Sequence, residues 1–161
     1  APRQDRTLCP DFGRRRSVTA PRRGRPDRRH GIAVAVATTT NTPNVEALCQ
    51  CCWGKPATEV FDAIAAGDMV AAKKPAPDVY LTSLAQLGVS PGRAIAFEDS
   101  RNGLISAKAA GLRVLITPSI YTDDEDFADA DWVRRSLEAN ALPQVLAALF
   151  ADPTDHRRRF G

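Results

Sequence analysis

Long apolar runs are absent from this 161-residue chain. No window approaches the ~18 uninterrupted apolar residues that a membrane-spanning helix needs, and no apolar segment follows the N-terminal arginines as a secretory signal requires. The expectation is a soluble cytoplasmic monomer with no membrane partner. Histidine is scarce, and His30 and His156 lie near opposite ends. Cys49, Cys51 and Cys52 crowd together with no second pair at ligand spacing, which argues against a zinc site and for reduced thiols. Lysine is missing from residues 1–30, which hold ten Arg against three Asp, a balance of +7. With +3 for the whole chain, the remaining residues sum to −4, so the basic balance belongs to one end and not to a folded surface.

That end has too little apolar surface to join a core. Arg14, Arg15 and Arg16, then Pro21, Arg22 and Arg23, set its texture, and residues 1–30 read as a disordered segment. Arg, Pro and Gly in such proportion are what GC-rich coding DNA yields in a wrong frame, which points to a frameshift or an artificial junction near His30. The rival reading is a basic arm for RNA or anionic surfaces, since arginine clusters bind phosphates without sequence preference. Apart from Phe12 no aromatic residue is interleaved for stacking on bases, so a nucleic-acid partner is not expected.

From Gly31 the texture turns to apolar runs alternating with helical patterns, the mark of an α/β fold, and 43% hydrophobic residues suffice for a core. Residues 32–37 read as a buried parallel strand that stops in Thr38-Thr39-Thr40-Asn41, and 44–50 as a helix after an Asn or Thr cap and Pro43. Residues 61–66 make a second strand. Tyr80, Leu81, Leu84 and Leu87 recur at helical spacing within a helix over 77–87 that Gly88 ends. A third strand, 94–97, carries Glu98 and Asp99 at its carboxyl end. A helix over 102–110 closed by Gly111 follows, then a fourth strand, 114–117, broken by Pro118. A last amphipathic helix is expected over 141–150, and 151–161 reads as a charged tail. Together these imply a doubly wound, Rossmann-like parallel sheet with a site at the strands' carboxyl ends.

Three polar groups fall on that rim: Thr38-Thr39-Thr40-Asn41, Lys73-Lys74-Pro75-Ala76-Pro77-Asp78, and Glu98-Asp99-Ser100-Arg101-Asn102-Gly103. Adjacent carboxylates past a buried strand suit Mg²⁺, which takes oxygen ligands, although such pairs also suit helix N-termini. Thr38 can donate its hydroxyl to a phosphoryl oxygen with the Thr39 and Thr40 amides beside it; equally, threonines can cap the next helix. Lys74, pinned by Pro-Ala-Pro, can aim an ammonium at the same phosphate or be an ordinary solvated charge. The ordered set of hydroxyl, lysine and acidic pair is far rarer than any member of it.

In that combination the chain resembles the haloacid dehalogenase superfamily over about residues 30–150. Within it the likeness is to the CbbY-type branch, beside the β-phosphoglucomutases and phosphoglycolate phosphatases. Cys51-Cys52-Trp53-Gly54, and Ile120-Tyr121-Thr122 with Glu125-Asp126-Phe127, favour that branch. The resemblance implies a Mg²⁺-dependent sugar-phosphate phosphatase, associated with the Calvin cycle and clearance of a xylulose bisphosphate. It implies that Thr38 is the phosphate-binding hydroxyl, Lys74 the lysine that offsets phosphate charge, and Glu98 and Asp99 the Mg²⁺ ligands. Thr39, Thr40, Asn41, Ser100 and Asn102 are the candidate substrate contacts, and a phosphorylated sugar the partner. A phosphomutase of the β-phosphoglucomutase kind, or a non-catalytic product with an arginine-rich arm, stands as the alternative.

One departure from the family pattern is large. Members attack the phosphoryl group with an aspartate at the end of the first strand and use a second aspartate two residues on as acid and base, yet Asp-x-Asp-Gly-Thr is absent here. Asp5, Asp11 and Asp27 lie in the arginine-rich segment with no apolar strand before them. The family's first strand sits between those placed here at 32–37 and 94–97, so the resemblance implies a missing core strand, and a missing helical cap with it. A fragment that is inactive as it stands is the expectation.

Overall fold

The computed structural model describes residues 32–138, 141–144 and 146. The expectations for residues 1–31, for most of the helix over 141–150 and for the tail lie outside the described residues.

Asn41 opens the first helix. Its backbone is extended, at φ −86° and ψ 162°, its side chain accepts from the Asn44 amide at 2.9 Å, and Pro43 follows where no amide bond is needed. Helix α1 (Thr42–Trp53) then runs to Gly54, which takes a left-handed φ of 64°. It connects strand β1 (Ala35–Ala37) to a four-residue helix, α2 (Ala57–Val60), and to β2 (Ala63–Ala65), which lies parallel to β1 with Ala35 beside Ala63. The sequence pattern misses α2, whose start is set from a distance by Glu46 accepting from the Ala57 amide at 2.7 Å. Val45, Cys49, Ala57 and Val60 form a small core here, with Trp53 and Phe61 packed edge to face beside it.

Helix α3 (Asp78–Leu87) ends at Gly88, φ 65°. Its buried face is Val79, Tyr80, Ser83 and Leu84, displaced from the expected stripe, since Leu81 is 48% exposed. Ser83 is tolerated there because its hydroxyl donates back to the Val79 carbonyl at 2.9 Å. A 3₁₀ turn (Pro91–Arg93) leads to β3 (Ile95–Glu98), α4 (Arg101–Ala109), β4 (Arg113–Ile116) and β5 (Trp132–Val133). Strand β5 is too short to show as a pattern; it borrows its order from β4, pairing Trp132 with Leu115.

Parallel pairing is as expected, but the strands form two sheets rather than one, β1–β2 and β3–β4–β5. Among the described residues β1 and β3 are each paired on one side only, a division that falls where the family resemblance implies a missing strand. The two sheets nevertheless share a core. Ala65, Val79, Tyr80, Leu84, Ala96, Leu104, Ala107, Val114 and Ile116 belong to one buried cluster drawn from both sheets and from α3 and α4. Helix α3 packs on β1 and β2 and meets α4, which covers β3 and β4. Among the described residues no helix is long and apolar enough to cross a membrane.

The cysteines depart from expectation. Cys49 and Cys52 carry free thiols, but Cys51 is disulfide-bonded. Adjacent helical positions point apart, so one member of a crowded set can be oxidised while the others stay reduced.

The turn after β2 lies hard against the turn after β1. The Gly67 amide donates to the Thr40 carbonyl at 2.6 Å, and a Cβ on Gly67 would overlap the Thr39 carbonyl, which is backbone and has nowhere to go. Gly67→Ala should therefore lower the unfolding free energy by about 1–3 kcal/mol, as overpacking does. Gly92→Ala, where a Cβ meets nothing within 4 Å, should change it by less than about 0.5 kcal/mol. Urea unfolding of both variants checks the contrast; equal effects would contradict the close approach.

Candidate active site

The site grows from three strand ends. Thr38 continues the β1–β2 pairing by one bond, its amide donating to the Ala65 carbonyl at 3.0 Å, and the chain then turns. Within that turn the Thr40 amide donates to Thr38 Oγ1 at 3.2 Å, which leaves the Thr38 hydroxyl hydrogen for another acceptor. Thr40 and Asn41 serve the helix instead: Thr40 Oγ1 accepts from Asn44 Nδ2 at 2.9 Å, and Asn41 is the cap. Asp68 reaches over from the β2 turn and accepts from the Thr42 amide and hydroxyl, both at 3.0 Å, which ties the two turns together.

Lys74 comes from the second rim group and crosses between the sheets. Its Nζ donates to the Ala37 carbonyl at the end of β1, 2.9 Å away, and to Glu98 Oε1 at the end of β3, 2.5 Å away. Their side chains are only 11% and 8% exposed, so this is a buried ion pair. Tyr80, on α3, donates its hydroxyl to the same Glu98 oxygen, and its ring lies 5.0 Å from Lys74 Nζ. Burial first, then the Glu98 charge, push the Tyr80 phenol far above its ordinary pKa, so it remains a donor. The other Glu98 oxygen faces the first turn of α4 at Gly103, where any side chain would collide with it. Ser106, fully buried on α4, donates to the Ala76 carbonyl at 2.6 Å and holds the Lys74 segment against α4.

The third group surrounds the start of α4. Ser100 caps it, its side chain accepting from the Gly103 amide at 3.3 Å. The loop after β4 is clamped there: Thr122 Oγ1 donates to the Asp99 carbonyl at 2.5 Å, and the Arg101 guanidinium holds Asp126 at 2.8 Å. The Asp126 carboxyl lies below the usual range because the Ala128 amide, then Arg101, donate to its charged form.

A cavity of about 510 Å³ opens among these groups, lined by Thr38, Thr39, Lys73, Lys74, Glu98, Asp99, Ser100 and Asn102. Of the nine candidates from the sequence, Thr38, Thr39, Lys74, Glu98, Asp99, Ser100 and Asn102 meet there, whereas Thr40 and Asn41 do not line it. The structure adds Lys73 and Tyr80. Lys73 stood in the rim group without a role; Tyr80 was read only as an apolar residue of α3, although a buried phenol must find a hydrogen-bond partner. The cavity can offer an anion a hydroxyl hydrogen and ammonium hydrogens. Among the described residues no group of three His, Cys, Asp or Glu comes together to hold a metal ion.

Comparison with known proteins matches this arrangement. A family model described as haloacid dehalogenase-like hydrolase matches residues 27–111. Over 104 residues the chain is 62% identical to protein CbbY of Cereibacter sphaeroides, a stretch covering 65% of this chain and 45% of that protein. The crystal structure of CbbY from Rhodobacter sphaeroides in complex with phosphate superposes with a TM-score of 0.66 at 60% identity, over 68% of this chain and 48% of that one. A mutant of the same protein in complex with xylulose-(1,5)bisphosphate superposes equally well, with TM-score 0.66, 60% identity and the same coverage. The chain spans about half the length of the relatives it matches.

The buried pair makes a stability prediction. Lys74→Met strands the Glu98 carboxylate in a site built for a cation, which should cost about 3–5 kcal/mol. Adding Glu98→Gln removes the stranded charge and should restore more than half of that loss. Chemical unfolding of the two variants decides it, and additive effects would show that the two side chains do not depend on each other.

Proposed function

The chain belongs to the haloacid dehalogenase-like hydrolases, and from that membership we propose that it carries the phosphate-binding half of a sugar-phosphate phosphatase of the CbbY type. The observation that supports this most is the meeting in one cavity of Thr38, from the turn after β1, and Lys74, from the segment between β2 and α3. In this reading the Thr38 hydroxyl and one Lys74 N–H bind phosphoryl oxygens. Thr39, Ser100 and Asn102 line the space left for the rest of the ester, and a bisphosphorylated pentulose is the substrate class that the relative in complex with xylulose-(1,5)bisphosphate suggests. The chain holds the phosphate without turning it over. Phosphoryl transfer to a carboxylate needs a nucleophile in line with the leaving oxygen and an acid to protonate it. Glu98 is engaged by Lys74 and Tyr80, and Asp99 stands exposed at the rim.

Magnesium enters through Asp99. Lys73 and Lys74 against Glu98 and Asp99 leave the cavity without net charge, so an entering phosphate finds no surplus positive charge, which a divalent cation beside Asp99 would supply. The described residues do not complete a site for that ion. Glu98, the other acidic member, is turned inward onto its own partners, and a hard cation takes more oxygen ligands than Asp99 offers.

Calorimetric titration with inorganic phosphate tests the site. Thr38→Val should weaken binding several-fold, and Lys74→Met/Glu98→Gln by about tenfold or more, the effect of losing a charged donor. No hydrolysis of a generic aryl phosphate should accompany binding; turnover by the chain alone would overturn the binding-half reading, and undiminished affinity in both variants would overturn the site. A parallel titration with Mg²⁺ should show weak binding that Asp99→Asn removes and Glu98→Gln reduces less. The reverse order would make Glu98 the chief ligand.

A further inference from the structure

We propose that Tyr80 is a positioning residue that aims the Lys74 ammonium by holding Glu98 in place. The proposal rests on the phosphate-site reading above for its consequence, but its geometry stands by itself. An ammonium has three N–H bonds. Held by one acceptor it turns freely about that bond; held by two, the direction of its third N–H is determined. For Lys74 the two acceptors are the Ala37 carbonyl and Glu98 Oε1, contributed by separate sheets. The first is backbone and cannot rotate away. Glu98 is a flexible side chain, and its acceptor oxygen is fixed because Tyr80 donates to the same atom. The Tyr80 ring is itself 7% exposed and packed in the shared core with Val79 and Leu84, so its hydroxyl is anchored to α3. The same ring lies under the ammonium at 5.0 Å. Tyr80 therefore acts on Lys74 twice, directly through its face and indirectly through its hydroxyl, while making no part of the cavity wall. What remains is one Lys74 N–H of determined direction in a residue that lines the cavity.

Tyr80→Phe separates the two actions, because it keeps the ring and removes the hydroxyl. The test uses the full chain labelled with ¹⁵N-lysine. In the parent protein Lys74 should give a distinct, slowly exchanging ammonium signal, identified by its loss in Lys74→Arg. In Tyr80→Phe that signal should broaden or move to the position of exposed lysines, and affinity for inorganic phosphate should fall by about tenfold. A melting temperature that drops while the ammonium signal and phosphate affinity stay as they were would show a merely structural tyrosine and overturn the proposal. If the parent protein binds no phosphate, the phosphate-site reading fails, and the ammonium signal alone decides the role of Tyr80. Should Tyr80→Phe not fold, 3-fluorotyrosine incorporation keeps the side chain and changes its donor strength. The Lys74 signal must then shift, and an unmoved signal overturns the proposal.

Discussion

The Lys74–Glu98 pair is the interaction on which the rest of this structure depends. Two sheets that, among the described residues, exchange no backbone hydrogen bonds share a core, and their strand ends meet at one ammonium, with the end of β1 on one side and the end of β3 on the other. A buried charge of either sign is costly alone, and each of these two is tolerable because the other is present. Around them the constraint spreads outward. Glu98 requires Gly103 to have no side chain, Gly103 fixes how α4 begins, and α4 holds the Lys74 segment through Ser106. Tyr80 closes the circle from α3. The cavity is what these demands leave between them.

The rim is ordered by a second layer of contacts from residues that do not themselves line the cavity. Asp68 joins the turns after β1 and β2, and Arg101 and Thr122 fasten the loop after β4 to the start of α4. Exposed ion pairs such as Arg101–Asp126 add little stability in water. Their effect here is geometric, because each one removes a way for a wall of the cavity to open.

Much of this was legible in the sequence, for reasons that differ by element. Helices α1, α3 and α4 each announce one end chemically, through Asn41 at the start of α1, Gly88 after α3 and Gly111 after α4, and local chemistry needs no knowledge of the fold. The seven cavity residues were legible because strand ends in a parallel α/β fold converge by topology. Thr40 and Asn41 carry a helix-start role that sequence cannot tell from ligand binding, since a capping residue and a ligand-binding residue look alike until the Asn44 contacts are seen. Tyr80 and the inward turn of Glu98 were hidden for the opposite reason: each depends on a partner far along the chain. The division of the sheet was implied by resemblance to the family, not by any residue pattern, since an unpaired edge in β1 or β3 has the same composition as a paired one.

The shared core has a consequence for how the protein comes apart. In most parallel α/β domains, hydrogen bonds across one sheet make unfolding all-or-none; here, among the described residues, that continuity stops at β1 and β3, and side-chain contacts in the shared core and the Lys74–Glu98 pair carry cooperativity from one half to the other. Val79, Tyr80 and Leu84 thus act as a coupling, and amide exchange in β2 and in β4 would report a common opening or two separate ones according to whether that coupling holds. The packing of that shared core, with α3 at its centre, sets whether this chain is one folding unit or two.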